Sequence, residues 1–149
     1  MSLKGQITED MKAAMKAGDK DRLKTVRLIL AAIKQIEVDK RVELDDAAVL
    51  AVLAKMVKQR RDSIEQFEKG KREDLAKIER DEIAIIEKYL PKQLAADELA
   101  AMVDQVIRAT GAQSIRDMGK VMGQIKAKAA GRADMGAVSA AVKERLNAL

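Results

Sequence analysis

The stretch LAKMVKQRRDSIEQFEKGKREDLAKIERDEIAIIEKY, residues 53–89, decides the fold. Apolar side chains recur in it at helical spacing: Leu53, Val57, Ile64 and Phe67 form one stripe before Gly70-Lys71, and Leu75, Ile78, Ile85 and Tyr89 form another after it. Folded back at Gly70-Lys71, one antiparallel register sets Phe67 against Leu75, Ile64 against Ile78, Val57 against Ile85 and Leu53 against Tyr89. The same register places Arg60 opposite Glu82, each in the middle of an otherwise apolar stripe. The spacing therefore predicts a long antiparallel helical hairpin with a central Arg60–Glu82 ion pair. A lone carboxylate there would suggest a catalytic or binding role, but a paired charge on a helical seam more commonly fixes register, so the pair is read as structural. The neighbouring run Lys58-Gln59-Arg60-Arg61 is a secondary candidate for a phosphate-binding patch, diluted by Asp62 and Glu65.

Working outward, helix signals continue on both sides. Upstream, helices are expected at about 3 to 17, 20 to 40, 45 to 69 and 72 to 89, with Gly18-Asp19, Glu43 to Asp46 and Gly70-Lys71 as breaks. Asp19, Asp45 and Thr8 can cap N-termini through their side-chain oxygens. The only proline, Pro91, pushes the residue before it out of helical geometry and marks a boundary. Beyond it, three shorter helices are expected at about 96 to 109, 114 to 130 and 134 to 147. Thr110-Gly111 stops the first, Ser114 caps the second, Gly131 ends it, and Asp134 caps the third. The reading is all-α: an N-terminal helical hairpin domain, 1–90, followed by a small three-helix C-terminal domain, 91–149.

Composition agrees with an all-α class. Of 149 residues 48% are apolar, yet only Phe67 and Tyr89 are aromatic, so the core must be built from Leu, Ile, Val, Met and Ala, and the clusters that announce strands are missing. There is no Cys and no His, which excludes disulfides, thiolate chemistry and a Ser-His nucleophile, and leaves a transition metal only carboxylates to bind. No catalytic residue, metal or cofactor is expected. Charged residues make up 36%, with 29 Lys and Arg against 24 Asp and Glu, a mild net charge of +5 that permits a nucleic-acid partner without requiring one. No stretch approaches the length of a membrane span, and Met1-Ser2-Leu3-Lys4-Gly5 lacks a long apolar run. A cytoplasmic, bacterial-style protein with no membrane partner is expected.

The positive charge is concentrated. Between Ile115 and Arg132 there are five basic residues, Arg116, Lys120, Lys126, Lys128 and Arg132, against the single acid Asp117. On a helical wheel Ile115, Met118, Met122, Ile125 and Ala129 make an apolar stripe, and Gly123 falls well away from it, between Arg116 and Lys120, with Gly119 and Lys126 on the flank. A glycine inside an exposed helix costs about 1 kcal/mol relative to alanine, so something should offset it. Flanked by cations, it lets a sugar-phosphate backbone approach the helix closely. Alternatively, Gly119 and Gly123 admit a neighbouring helix at short range. The near absence of aromatics removes base-stacking platforms, so any RNA contact would be to backbone and shape, with no DNA specificity.

At these residues the sequence becomes specific. The run Asp117-Met118-Gly119-Lys120-Val121-Met122-Gly123-Gln124-Ile125-Lys126, continuing through Lys128 to Gly131-Arg132-Ala133-Asp134, resembles the signature of the GatB/YqeY family. Lys58-Gln59-Arg60-Arg61-Asp62-Ser63 and Tyr89-Leu90-Pro91-Lys92-Gln93-Leu94 resemble stand-alone YqeY proteins, so the likeness covers nearly the whole chain. In that family the C-terminal helical domain is shared with the tail of the B subunit of the tRNA-dependent amidotransferase, a carbon-nitrogen ligase acting on misacylated Glu-tRNA(Gln) or Asp-tRNA(Asn). The resemblance implies a tail that grips the body of a tRNA, and an amidotransferase or aminoacyl-tRNA synthetase as protein partner. The signatures of that enzyme's glutaminase and kinase chemistry are missing here. Met135 is one departure, where relatives tend to carry Gly or Pro after the capping residue.

The leading expectation is a noncatalytic tRNA-binding protein, accessory to the amidotransferase, with Arg116, Gly119, Lys120, Gly123, Lys126, Lys128 and Arg132 as contact residues. A helical protein-protein adaptor without RNA binding is the alternative. A carbon-nitrogen ligase in its own right is disfavoured, because the sequence carries neither a nucleophile-base constellation nor a P-loop. Limited proteolysis is expected to nick the chain near Pro91, and an isolated 92–149 fragment to unfold cooperatively in denaturant; a fragment without a cooperative transition would count against a separate domain.

Overall fold

Side-chain oxygens and left-handed residues punctuate the chain where local chemistry demands. A computed structural model of the protein describes residues 2–149 and contains α1 (Leu3–Ala17), α2 (Lys20–Lys40), α3 (Asp46–Lys69), α4 (Glu73–Glu87), α5 (Ala96–Thr110), a 3-10 turn (Ile115–Asp117), α6 (Met118–Ala129) and α7 (Met135–Asn147), with no strand among the described residues. The protein is all-α. Asp19, Asp45 and Asp134 accept hydrogen bonds from the backbone N–H groups of Arg22, Ala48 and Ala137 and so start α2, α3 and α7. Met135 is the first residue of α7, directly after its cap. Thr8 does not act as a cap: Ser2 accepts from the Gly5 N–H at the start of α1, while the Thr8 hydroxyl donates back to the Lys4 carbonyl inside the helix. Helix α3 ends at Gly70, but Lys71 takes the left-handed conformation at φ 57°.

By their internal contacts the residues group into two compact units, Met1–Pro91 and Lys92–Leu149. In the first unit α1 to α4 enclose Ile7, Val26, Ile29, Ile33, Val49, Leu53 and Ile86, all at most 1% exposed. Burying a side chain of this size stabilises by about 1.5–3 kcal/mol. Glu37 of α2 ties three segments together. Its two carboxylate oxygens each accept from the Lys4 ammonium at 2.9 Å, and one also accepts from the Leu44 N–H at 2.9 Å. The Lys4 ammonium, then that N–H, hold the Glu37 carboxyl below the usual carboxylate range.

Helices α3 and α4 run antiparallel, with Glu68 against Arg80, Arg60 against Glu82 and Arg61 against Glu87. Arg60 Nε donates to Glu82 at 2.7 Å with side chains only 14% and 12% exposed, Glu79 lies at 3.9 Å, and the guanidinium also donates to the Met56 carbonyl at 3.2 Å. The apolar face of α4 differs from the expected stripe. Ile78 is 49% exposed, whereas Ala76 and Ile86 are fully buried. The cause is that α4 packs against α2 as well as α3, which widens its inward face to take in Ala76, Ile83 and Ile86 beside Ile85 and leaves Ile78 outside it.

Tyr89 follows α4, and its hydroxyl donates to Asp10 of α1 at 2.5 Å. Partial burial, then the carboxylate of Asp10, push the phenol up to about 12. In the second unit α5, α6 and α7 enclose Val103, Val106, Val121, Ile125, Ala129, Val138 and Val142, all fully buried. Gly131 stops α6 at φ 70°, its carbonyl accepts from Gln93 Nε2 at 2.7 Å, and the Arg132 carbonyl accepts from the Leu94 N–H at 2.7 Å, which latches the start of the unit onto the turn after α6. Asp104 of α5 and Arg145 of α7 form a bidentate pair at 2.6 and 2.7 Å.

Because Glu79 remains beside Arg60, Glu82→Ala is expected to cost about 2–3 kcal/mol, and loss of both carboxylates about 3–5 kcal/mol. Replacing Arg60 and Glu82 together by Met and Leu should cost far less. Urea denaturation measures all of these, and equal, additive losses from the single Arg60 and Glu82 variants would show that the two are not partners. Tyr89, the only tyrosine in a chain without tryptophan, gives an unambiguous tyrosinate absorbance. Its folded value is raised, so its contribution to stability is complete below pH 10.0 and is lost as pH rises toward about 12. A stability difference between wild type and Tyr89→Phe that stays constant over this window would contradict the Tyr89–Asp10 contact.

Candidate nucleic-acid interface

The segment from Gln113 to Arg132 is built by competition between a cap and a helix. The Asp117 carboxylate accepts from the Gln113 N–H at 2.8 Å and the Ser114 N–H at 3.3 Å, while the Ser114 hydroxyl accepts from the Arg116 N–H. This reciprocal box winds residues 115–117 into a 3-10 turn, so α6 begins at Met118 rather than after Ser114. Ile115 therefore leaves the expected apolar stripe and is 40% exposed. The inward stripe of α6 is Val121, Ile125 and Ala129, with Met118 and Met122 packed at its edge. The N–H groups of Gln113 and Ser114, with Lys120 nearby, hold Asp117 below the usual carboxylate range. The one acid of this stretch is thus committed to a cap.

Arg116, Gly119, Lys120, Gly123, Lys126 and Lys128 are all exposed, and Arg132 is half-buried. A Cβ added at Gly119 or Gly123 would meet nothing within 4 Å, so close packing of a neighbouring helix within the unit does not account for either glycine. At 100° per residue Gly119, Gly123 and Ala127 follow one another at about 40° steps along the outer face, a path about 12 Å long. Lys126 borders it on one side and Lys120 on the other, each about 60° from Gly123. Ala127, exposed and bare, is a member of this path that the sequence reading missed, and the i, i+4, i+8 recurrence of small residues was the available signal. Lys128 lies about 140° from Gly123 and stands apart from it. Arg116 sits on the 3-10 turn before α6, and Arg132 in the turn after it donates from Nε to the Lys92 carbonyl at 3.4 Å. Arg116, Lys120, Lys126 and Lys128 make no salt bridge among the described residues.

The other basic run behaves differently. Arg60 is held by Glu82 and Glu79, Arg61 pairs with Glu87 at 2.9 Å, and Lys58 is also engaged. Acids from α4 thus pair with Arg60 and Arg61 of this run. Among the described residues no group of three or more His, Cys, Asp or Glu is arranged to hold a metal ion, and no helix is long and apolar enough to cross a membrane.

Comparison with known proteins places these features in a family. The protein named altered inheritance of mitochondria protein 41, mitochondrial, from Kluyveromyces lactis is 41% identical over 104 residues, 68% of this chain and 56% of that protein. Its counterpart of the same name in Eremothecium gossypii is 40% identical over 101 residues, 66% of this chain and 55% of that one. A Saccharomyces cerevisiae protein of that name is 35% identical over 100 residues, 66% of this chain and 53% of the relative. The chain thus spans about half the length of the curated relatives it matches. The profile described as Yqey-like protein matches residues 4–146, from α1 to the last turn of α7, and on that match the chain belongs to the YqeY-like family.

Proposed function

We propose that this chain is a noncatalytic protein that holds the sugar-phosphate backbone of a folded tRNA on the outer face of α6, in a role accessory to tRNA-dependent amidotransferase. The observation that carries the reading is the open position of Gly123. A glycine in the middle of a 12-residue helix sacrifices about 1 kcal/mol of helix propensity, and no neighbour within the protein needs the space. A bare surface between Lys120 and Lys126 is what a phosphodiester chain requires: close approach of backbone to backbone, with an ammonium on either side to meet phosphate oxygens. Arg116 adds a planar donor at the start of the face. Recognition of this kind reads shape, which suits a structured RNA and a protein with almost no stacking side chains. The amidotransferase or synthetase partner is part of the same proposal, carried by the family resemblance; the cytoplasmic location rests on a cysteine-free composition, whereas the matched relatives carry a mitochondrial name.

Filter binding of a tRNA transcript across a salt series tests it. Affinity should fall with a log-log slope of about 0.7–0.9 per phosphate contact, and Lys120→Ala should flatten the slope by about one contact. Gly123→Leu should abolish binding while leaving the helix as stable as before or more so, and Gly123→Ala should raise stability by up to about 1 kcal/mol. Normal tRNA binding by Gly123→Leu would remove the RNA from this face.

A further inference from the structure

A groove of about 500 Å³ runs between α2 and α3 in the N-terminal unit. Its floor is Ala32 and Ile36 of α2, Leu44 of the connecting loop, and Val52 and Met56 of α3. All five belong to the N-terminal core or pack against it, so the groove exposes the edge of the core itself. The small side chains of Ala48 and Ala51 keep it open along α3. Its end is fixed, because the Leu44 N–H donates to Glu37, which Lys4 also holds. The rim carries Lys40 on one wall and Lys55 on the other, with the amides of Gln35 and Gln59, and no carboxylate lines it. Neither lysine forms a salt bridge among the described residues. From Ala48 to Gln59 the α3 wall is about 16 Å long at 1.5 Å per residue, or three helical turns.

We propose that this groove docks an amphipathic helix from a partner protein, its apolar face on the Ile36–Leu44–Met56 floor and its flanks lined with Asp or Glu that meet Lys40 and Lys55. Charge selects the occupant. A helix with basic flanks would set like charges against both walls, whereas an acidic-flanked helix pairs on each side and takes its affinity from the apolar floor. A second copy of this chain is a poor occupant: the strongly apolar face of α5 is spent on Leu99, Val103, Val106 and Ile107 in its own core. This docking is separate from the face proposed for tRNA, so either can fail without the other.

The test uses the intact protein and three fluorescent helical peptides that share a leucine stripe at helical spacing and differ in flanks of Glu, Lys or Ser. The Glu-flanked peptide should bind tightest, with added salt weakening it. Lys40→Glu with Lys55→Glu, both at exposed positions, should weaken it roughly tenfold or more and turn the preference toward the Lys-flanked peptide. Ala51→Trp should block all three by filling the groove, with circular dichroism showing the helices retained, and tRNA binding should be unchanged in every variant. A Glu-flanked peptide that binds no better than the Lys-flanked one, that survives Ala51→Trp, or that does not bind at all would overturn the proposal. So would a dimer of the protein alone that Ala51→Trp dissolves, or loss of tRNA binding in the double lysine variant.

Discussion

The constraint on which the rest depends is a fully buried core without aromatic rings, with Tyr89 packed only at its edge. Apart from Thr25, every buried side chain in either unit is Ile, Val, Leu, Met or Ala. Such side chains fill space well and favour helices, but their attraction is nearly indifferent to direction, and an aliphatic stripe slides against another at modest cost. Direction must come from elsewhere. Here it comes from charge-assisted contacts placed at the edge of the core: Arg60 with Glu82 between α3 and α4, Lys4 with Glu37 between α1 and α2, and Asp104 with Arg145 between α5 and α7. These pairs specify register, while most of the stability comes from the aliphatic groups they align.

Helix α6 shows how the same economy divides one element between two tasks. Its inner face is ordinary core, with Val121, Ile125 and Ala129 fully buried. Its outer face has no bulk at all at Gly119, Gly123 and Ala127, and positive charge on both borders. Asp117 is the one acid between Gln113 and Arg132, and its carboxylate is turned to backbone N–H groups by the box that starts the helix. The cap therefore ends the preceding loop and holds the ionised Asp117 carboxylate on backbone N–H groups, with Lys120 near enough to favour its charge.

Helix boundaries were legible because they are set by local chemistry. Asp19, Asp45 and Asp134 cap as read, and Gly18, Gly111 and Gly131 stand at positive φ. What was not legible depended on a third element. The apolar residues Ile83, Ile85 and Ile86 span more than one stripe of α4, and all three pack inward because α4 meets α2 as well as α3. The run Lys58-Gln59-Arg60-Arg61 reads as free cations until the carboxylates of α4 are brought across from it. On α6 the exposure of the glycines followed from their distance from the apolar stripe, but the 3-10 turn did not, because a cap box and a helix start share the same residue types. Ala127 escaped notice since alanine is the least informative residue in a helix, and Lys128 was grouped with its neighbours by composition rather than by angle.

The sequence separation of these contacts also sets an order in time. Arg60 and Glu82 are 22 residues apart, so α3 and α4 close a short loop and gain their contacts early, whereas Tyr89 must find Asp10 across 79 residues. On a ribosome the chain emerges from its N-terminus. Helix α1 is made before the hairpin, yet its tether to Tyr89 can form only after the whole hairpin has left the exit tunnel. Of the four helices of this unit the first to be made is thus the last to gain all its contacts, and until α3 arrives its apolar face, centred on Ile7, depends on α2 for cover.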